Sequence, residues 1–313
     1  MRRAALSLVA ALIALVGCAL HVDEEDVFLP WMAEGTSFTV TDDETGVIFE
    51  RNRPAAGLFE AAELDIRDGV FDSALGPLAY RLARGPDPDA PLLVHCGGNS
   101  FDVPSHGDLA IWKLAPHGDA LVWDYPGYGD SAGDATVADF RVAVAALAET
   151  IAGFRRTPDQ RVVLWGHSLG GFVCSELAAA APVIDAIIFE ASAPSAPAAS
   201  KYLAPAPLRP FVRVRLSDEI ASFDNVAALS KRPIKALVLG ARKDRILPVQ
   251  LSRALRTSLE DAGHAVTYFE FRDSNHFHVG FQPDLPEVVS HFLAGETYRP
   301  DPAAPRARPP KAE

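Results

Sequence analysis

Six short, almost uninterrupted apolar runs limit most narrowly what this chain can fold into: Pro91–Cys96, Ala120–Asp124, Arg161–Trp165, Ala186–Glu190, Ile234–Leu239 and Ala265–Phe271. A strand with one face in water alternates apolar and polar residues. A strand that is apolar throughout has both faces covered, the usual condition of a parallel sheet. Longer stretches with apolar residues at helical spacing lie between the runs: 137–154, 169–181, 249–262 and, after the last run, 286–294. Strands alternating with helices predict an α/β fold, a doubly wound and mostly parallel sheet with helices on both faces. A weak alternation over 37–50, around the turn Asp42-Asp43-Glu44-Thr45-Gly46, and the run Ala79–Ala83 predict further strands.

Apolar residues make up 49% of the 313 residues, enough for a large core. The formal net charge is −12. That balance argues against a nucleic-acid partner, because phosphate binding requires a basic surface. Residues 192–210 hold Pro194, Pro197, Pro205, Pro207 and Pro210 among alanines, which forbids a long regular helix. Together with the following residues they predict a small Pro/Ala-rich cap over about 192–231. Residues 299–313, rich in proline and charge, read as a disordered tail.

The chain begins with Arg2 and Arg3, an uncharged stretch Ala4–Leu20, and an acidic cluster from Asp23 to Asp26. A basic start before a short apolar run is the pattern of a secretory signal. The expected division is a signal peptide over 1–17, a tether over 18–35 and one folded domain over 36–298. Leu15-Val16-Gly17-Cys18 resembles the lipobox of bacterial lipoproteins. That resemblance implies lipidation at Cys18, export, and a lipid anchor in a bacterial membrane, the outer one where a cell has it. Cys96 and Cys174 lie in apolar segments and read as buried free thiols, with a bridge between them as the alternative.

Gly166-His167-Ser168-Leu169-Gly170 follows an expected strand and opens an expected helix. Such a turn holds its serine in a strained conformation and exposes the hydroxyl, while the small flanking residues let the turn close. A serine hydroxyl becomes a nucleophile when an imidazole accepts its proton and a carboxylate orients that imidazole. With the order serine, acid, histidine along the chain, Asp244 after the fifth run is the candidate acid. His276 is the candidate base after the sixth run, with His278 as the alternative. No cofactor is required by this chemistry. Among other polar residues, Asp124 reads as the holder of the Tyr125-Pro126-Gly127 turn and His95 as a core histidine. His106 and His117 stand too isolated for a metal site.

Several segments together resemble the α/β-hydrolase superfamily, in particular the BEM46-like serine hydrolases. They are Leu93–Ser100, Trp123–Ser131, Gly166–Gly171, Gly240–Pro248 and Ser274-Asn275-His276. Gly240–Pro248 carries the Gly-x-x-x-Asp-x-x-x-Pro spacing in which that family places its acid. The resemblance implies an oxyanion hole from the backbone N–H groups of Leu169 and Asn99. Gly98 is the alternative to Asn99, because Gly97-Gly98-Asn99 stands where the family has His-Gly-Asn. It also implies a small-molecule or acyl substrate of the carboxylic ester class, with peptidase, thioesterase and lipase chemistry open to the same residues. A non-catalytic, surface-anchored binding protein on the same fold is the reading from another class.

Overall fold

The computed structural model describes residues 19–30, 32, 40–41, 48–49, 63–204 and 207–298. Its centre is an eight-stranded sheet. The strands are β4 (Asp65–Ser73), β5 (Gly76–Arg84), β6 (Leu92–Cys96), β7 (Asp119–Trp123), β8 (Val162–His167), β9 (Ile184–Glu190), β11 (Lys235–Ala241) and β12 (Ala265–Phe271). They lie in the order β12-β11-β9-β8-β6-β7-β5-β4. From β7 to β12 every neighbour pair is parallel, whereas β5 runs antiparallel to both β4 and β7. All six apolar runs became strands. β4 carried no sequence signal, because its exposed residues Asp65, Arg67 and Asp68 dilute the alternation.

The apolar runs are continuous because the sheet is buried on both sides. Leu92, Val94 and Cys96 point into one apolar layer and Leu93 into the other. The first layer is closed by α3 (Val137–Thr150), α4 (Gly170–Ala180) and α8 (Gln250–Asp261), through Phe140, Leu147, Leu177 and Leu255. The second is closed by α2 (Val103–Leu114) and α9 (Leu285–Ala294), through Ile111, Leu114, Val289 and Phe292. Each such side chain contributes about 1.5–3 kcal/mol by leaving water. α2 was not foreseen. Its N-cap Asp102, which accepts from Ser105 N, and its Pro104 in the first turn are ordinary start signals, but Gly107 and the polar Ser105, His106 and Asp108 around it interrupt its apolar spacing.

Between β9 and β11 the chain makes only short elements: α5 (Ala196–Ser200), β10 (Arg213–Leu216), α6 (Asp218–Ala221) and α7 (Asn225–Leu229). Ser195, Ser217 and Asp224 cap the three helices by accepting from backbone N–H groups. Asn225, fully buried, accepts from Ser175 Oγ at 2.7 Å and donates to the Ala193 carbonyl at 2.6 Å, which ties this segment to α4.

The expected tether is corrected over residues 19–30, which are docked. β1 (Ala19–Val22) pairs in parallel with β10. After α1 (Glu24–Val27), Phe28 is buried and stacks on Phe140 with ring centroids 4.5 Å apart. Glu24 Oε1 accepts from Val137 N at 2.7 Å, at the start of α3. The acidic composition suggested a solvated linker, but one buried phenyl and one capping carboxylate are enough to hold the segment down. In the expected strand region 37–50, β2 (Val40–Thr41) and β3 (Ile48–Phe49) pair antiparallel. The expected signal peptide over 1–17, Cys18 and the expected tail over 299–313 lie outside the described residues. Among the described residues, no helix is long and apolar enough to cross a membrane.

His117, at the end of a short 3₁₀ turn, is buried near Trp165, and its Nδ1 has no hydrogen-bond partner. Burial lowers its pKa to about 4. A base whose folded pKa is depressed binds its proton more weakly folded than unfolded. Stability therefore falls as pH drops from about 6.5 through about 4, by up to on the order of 3 kcal/mol for this group. Urea unfolding at pH 7 and pH 4.5 should show a smaller acid loss for His117→Leu than for the parent chain. An unchanged loss would mean that His117 takes up its proton as freely folded as unfolded.

Candidate active site

The turn from β8 into α4 is forced by close packing of backbone on backbone. A Cβ at Gly170 would overlap the Cys96 carbonyl oxygen, and one at Gly166 would lie 2.5 Å from the Gly170 carbonyl oxygen. With both positions reduced to hydrogen, β6, β8 and the first turn of α4 meet at contact distance. Ser168 between them has φ +54°, a left-handed conformation that disfavours any side chain. Three hydrogen bonds hold it there. Ser168 N–H donates to the Glu190 carbonyl at 2.9 Å, and its own carbonyl accepts from Gly171 N at 3.1 Å and from Ser192 Oγ at 3.0 Å. Leu169 follows in helical conformation at the start of α4.

The loops after β11 and β12 meet beside this turn. Asp244 follows β11, and its Oδ1 accepts from Ile246 N and Leu247 N, both at 2.8 Å. Its Oδ2 lies 2.7 Å from His276 Nδ1. Both side chains are buried. With Oδ1 occupied by two amides, the carboxylate has one oxygen left for the imidazole. The pairing assigns the proton to Nδ1, donating to Asp244, and leaves Nε2 as the acceptor. Of the two histidines considered, His276 is the one that meets Asp244. His278 lies 3.2 Å from the Asn275 side-chain amide instead. Asp273 pairs with Lys243 at the surface.

His167 joins the serine turn to the histidine loop. Its Nε2 lies 3.0 Å from the His276 carbonyl, and the two rings are 5.0 Å apart. Burial lowers the His167 pKa to about 4, so at neutral pH the ring is uncharged and Nε2–H donates. Behind the turn, Glu190 is buried, and its Oε2 accepts from Lys113 Nζ and from Trp165 Nε1, each at 2.7 Å. Burial pushes its pKa up, but Lys113 and the other donors outweigh that and hold it at about 2. Glu190 thus supports Ser168 through its backbone and Trp165 through its side chain. This ion pair escaped sequence reading, because Lys113 and Glu190 stand 77 residues apart and neither belongs to a motif.

The loop after β6 carries Gly97, Gly98 and Asn99. A Cβ at Gly98 would sit 3.1 Å from His167 Nδ1 and 3.8 Å from Ser168 Cβ, so this backbone passes directly over the serine. The Asn99 carbonyl accepts from Tyr128 Oη at 2.8 Å and from Leu29 N at 3.0 Å. Asp124 organises the neighbouring turn: its carboxylate accepts from Val103 N and Asp130 N, and its carbonyl accepts from Ser131 Oγ. Burial raises its pKa to about 7. His95 is buried with Nδ1 3.1 Å from the Trp165 carbonyl, a core histidine with a partner. Cys96 and Cys174 are buried free thiols. Among the described residues, no group of three or more His, Cys, Asp or Glu could hold a metal ion.

Comparison with known proteins bears on the fold. Residues 92–224 match the model of the Alpha/beta hydrolase family, a span that contains Ser168 but ends before Asp244 and His276. No curated protein matches the chain. Among solved structures, an esterase from Pyrobaculum calidifontis superposes with a TM-score of 0.56 at 16% identity, covering 76% of this chain and 88% of that one. An esterase from Pyrococcus furiosus gives 0.57 at 15% identity, covering 77% and 94%. An acylaminoacyl peptidase from Pyrococcus horikoshii gives 0.58 at 13%, covering 86% of this chain but only 49% of that one. The fold is the α/β-hydrolase fold.

Two variants test the packing behind the serine. Gly170→Ala should lose about 3 kcal/mol or more in urea unfolding, since the Cys96 carbonyl it meets belongs to a central strand. Lys113→Met should lose about 3–5 kcal/mol at pH 7, because it strands the buried Glu190 carboxylate. Glu190 has a depressed folded pKa, so its pairing stabilises above the usual glutamate value and fades as pH falls toward 2. The loss in Lys113→Met should shrink in the same direction.

Proposed function

We propose that this chain is a serine hydrolase acting on carboxylic esters, with Ser168 as nucleophile, His276 as general base and Asp244 as the acid that orients it. The observation that carries the reading is the buried 2.7 Å contact between His276 and Asp244, delivered beside a serine at φ +54°. Ser168 Oγ attacks the ester carbonyl while His276 Nε2 takes its proton. The imidazolium is stabilised by Asp244, whose other oxygen is already fixed by two amides. His276 then protonates the departing alkoxide, and water, deprotonated by the same imidazole, hydrolyses the acyl-enzyme. The oxyanion is received by the backbone N–H of Leu169 and by one from the Gly98-Asn99 loop, each worth about 3 kcal/mol in the transition state. The close approach of Gly98 to Ser168 supports that loop as the source.

Exposed Ile246 and Phe277, two residues and one residue after the acid and the base, give the surroundings of the site an apolar edge. That edge supports an apolar acyl group. Within the fold, the BEM46-like serine hydrolases remain the subgroup whose motifs the chain resembles. The leader supports export and lipidation at Cys18, hence a protein held on a bacterial membrane. A mature chain that begins at a diacylglyceryl-modified Cys18 is the result expected from intact-mass analysis.

A fluorophosphonate probe should label the parent chain and leave Ser168→Ala unlabelled. Absence of labelling in the folded parent would remove the hydrolase reading. Asp244→Asn should lower kcat on p-nitrophenyl butyrate by about ten-thousandfold with little change in KM, because the carboxamide no longer fixes the productive tautomer.

A further inference from the structure

The cap carries a charge pattern opposite to that of the rest of the chain. From Ala191 to Ser217 there is no acidic residue, yet the segment holds Lys201, Arg209, Arg213 and Arg215 in a chain of net charge −12. The strand pairing sorts these charges. Ala19 stands opposite Arg213 and His21 opposite Arg215, while Leu20 stands opposite Val214 and Val22 opposite Leu216. In a parallel pair, residues in register share a face. One face of the β1-β10 ribbon therefore carries Arg213, Arg215 and His21, all exposed, and the other carries the buried Val22. Among the described residues, neither arginine takes part in an ion pair.

Apolar side chains accompany the charges. Leu203 is 49% exposed and Leu208 39%, on the turn that leads into β10. Arg209 packs that turn by lying over the Tyr202 ring and donating to the Ala204 carbonyl at 3.0 Å. Leu20, on the ribbon's other face with Val22, is 44% exposed. The acids Asp23, Glu25, Asp218 and Glu219 follow the two strands at the opposite end. The arginines thus lie on one face of the ribbon, and acidic residues follow the ends of both strands.

We propose that this face of the cap docks on an anionic phospholipid bilayer, with Arg213 and Arg215 against the headgroup phosphates and Leu203 and Leu208 inserted at the interface. A bilayer suits the face better than nucleic acid does, because two exposed leucines gain nothing from phosphate alone but leave water among acyl chains. Docking does not rest on the hydrolase reading. It does match the leader, since Cys18 immediately precedes β1 in the sequence.

The test is hydrogen–deuterium exchange of the full chain on vesicles of phosphatidylcholine with 30 mol% phosphatidylglycerol, beside pure phosphatidylcholine. Any anchoring by the leader is common to both vesicles. Residues 207–216 should be protected on the anionic vesicles only, and the protection should fade in 0.5 M salt. In Arg213→Gln/Arg215→Gln the anionic lipid giving half-maximal protection should rise on the order of 30-fold. The double variant should keep the parent's rate on p-nitrophenyl butyrate free of vesicles, which separates this result from the test of the nucleophile. Equal protection on both vesicles, no protection, or no effect of the double variant would overturn the proposal. Equal protection by duplex DNA would assign the face to a polyanion instead.

Discussion

The approach of α4 to β6 at Gly170 is the contact on which the rest of the site depends. Because no side chain separates Gly170 from the Cys96 carbonyl, the helix begins close against the sheet, and Ser168 must turn through a left-handed conformation to reach it. Such a conformation costs roughly 1–2 kcal/mol and survives only where its surroundings insist on it. Here they do so through the Glu190 carbonyl, Gly171 N and Ser192 Oγ. The same closeness leaves room for Gly98 to pass over the serine.

The electrostatics behind the turn separate structural charge from groups able to exchange a proton. Glu190 is held ionised by Lys113 and Trp165, and His95 and His167 are held neutral by burial. These groups keep one protonation state near neutral pH, so they serve as fixed dipoles and charges around His276. Asp244 accepts two amide N–H groups on one oxygen and the imidazole on the other. The arrangement fixes the orientation of the His276 ring.

The N-terminal segment links three parts of the molecule that sequence order keeps apart. β1 extends the cap, Glu24 caps α3, and Leu29 N reaches the Asn99 carbonyl in the loop over the serine. The segment that carries β1 is thus joined to that loop by one hydrogen bond. The buried Phe28, stacked on Phe140, anchors the segment.

Much of the architecture was legible in the sequence. Strands buried on both faces must be apolar throughout, and the local pattern records this directly. Gly166, Ser168 and Gly170 stood out because a strained turn excludes larger residues within five positions, and Asp244 and His276 because each follows a recognisable strand. Other features had no local signature. β4 is an edge strand whose polar residues meet water, and the Lys113–Glu190 pair joins residues far apart in the chain. His276 and His278 have the same chemistry two positions apart, and only the convergence of two loops decides which of them meets Asp244. The docking of residues 19–30 was hidden for a similar reason, since composition reports the average polarity of a segment and not the single phenyl ring that finds a pocket. Sequence determined which backbone conformations were allowed and which strands had to be buried. Tertiary structure decided which polar groups meet, because a hydrogen bond depends on distance in space and not on distance along the chain.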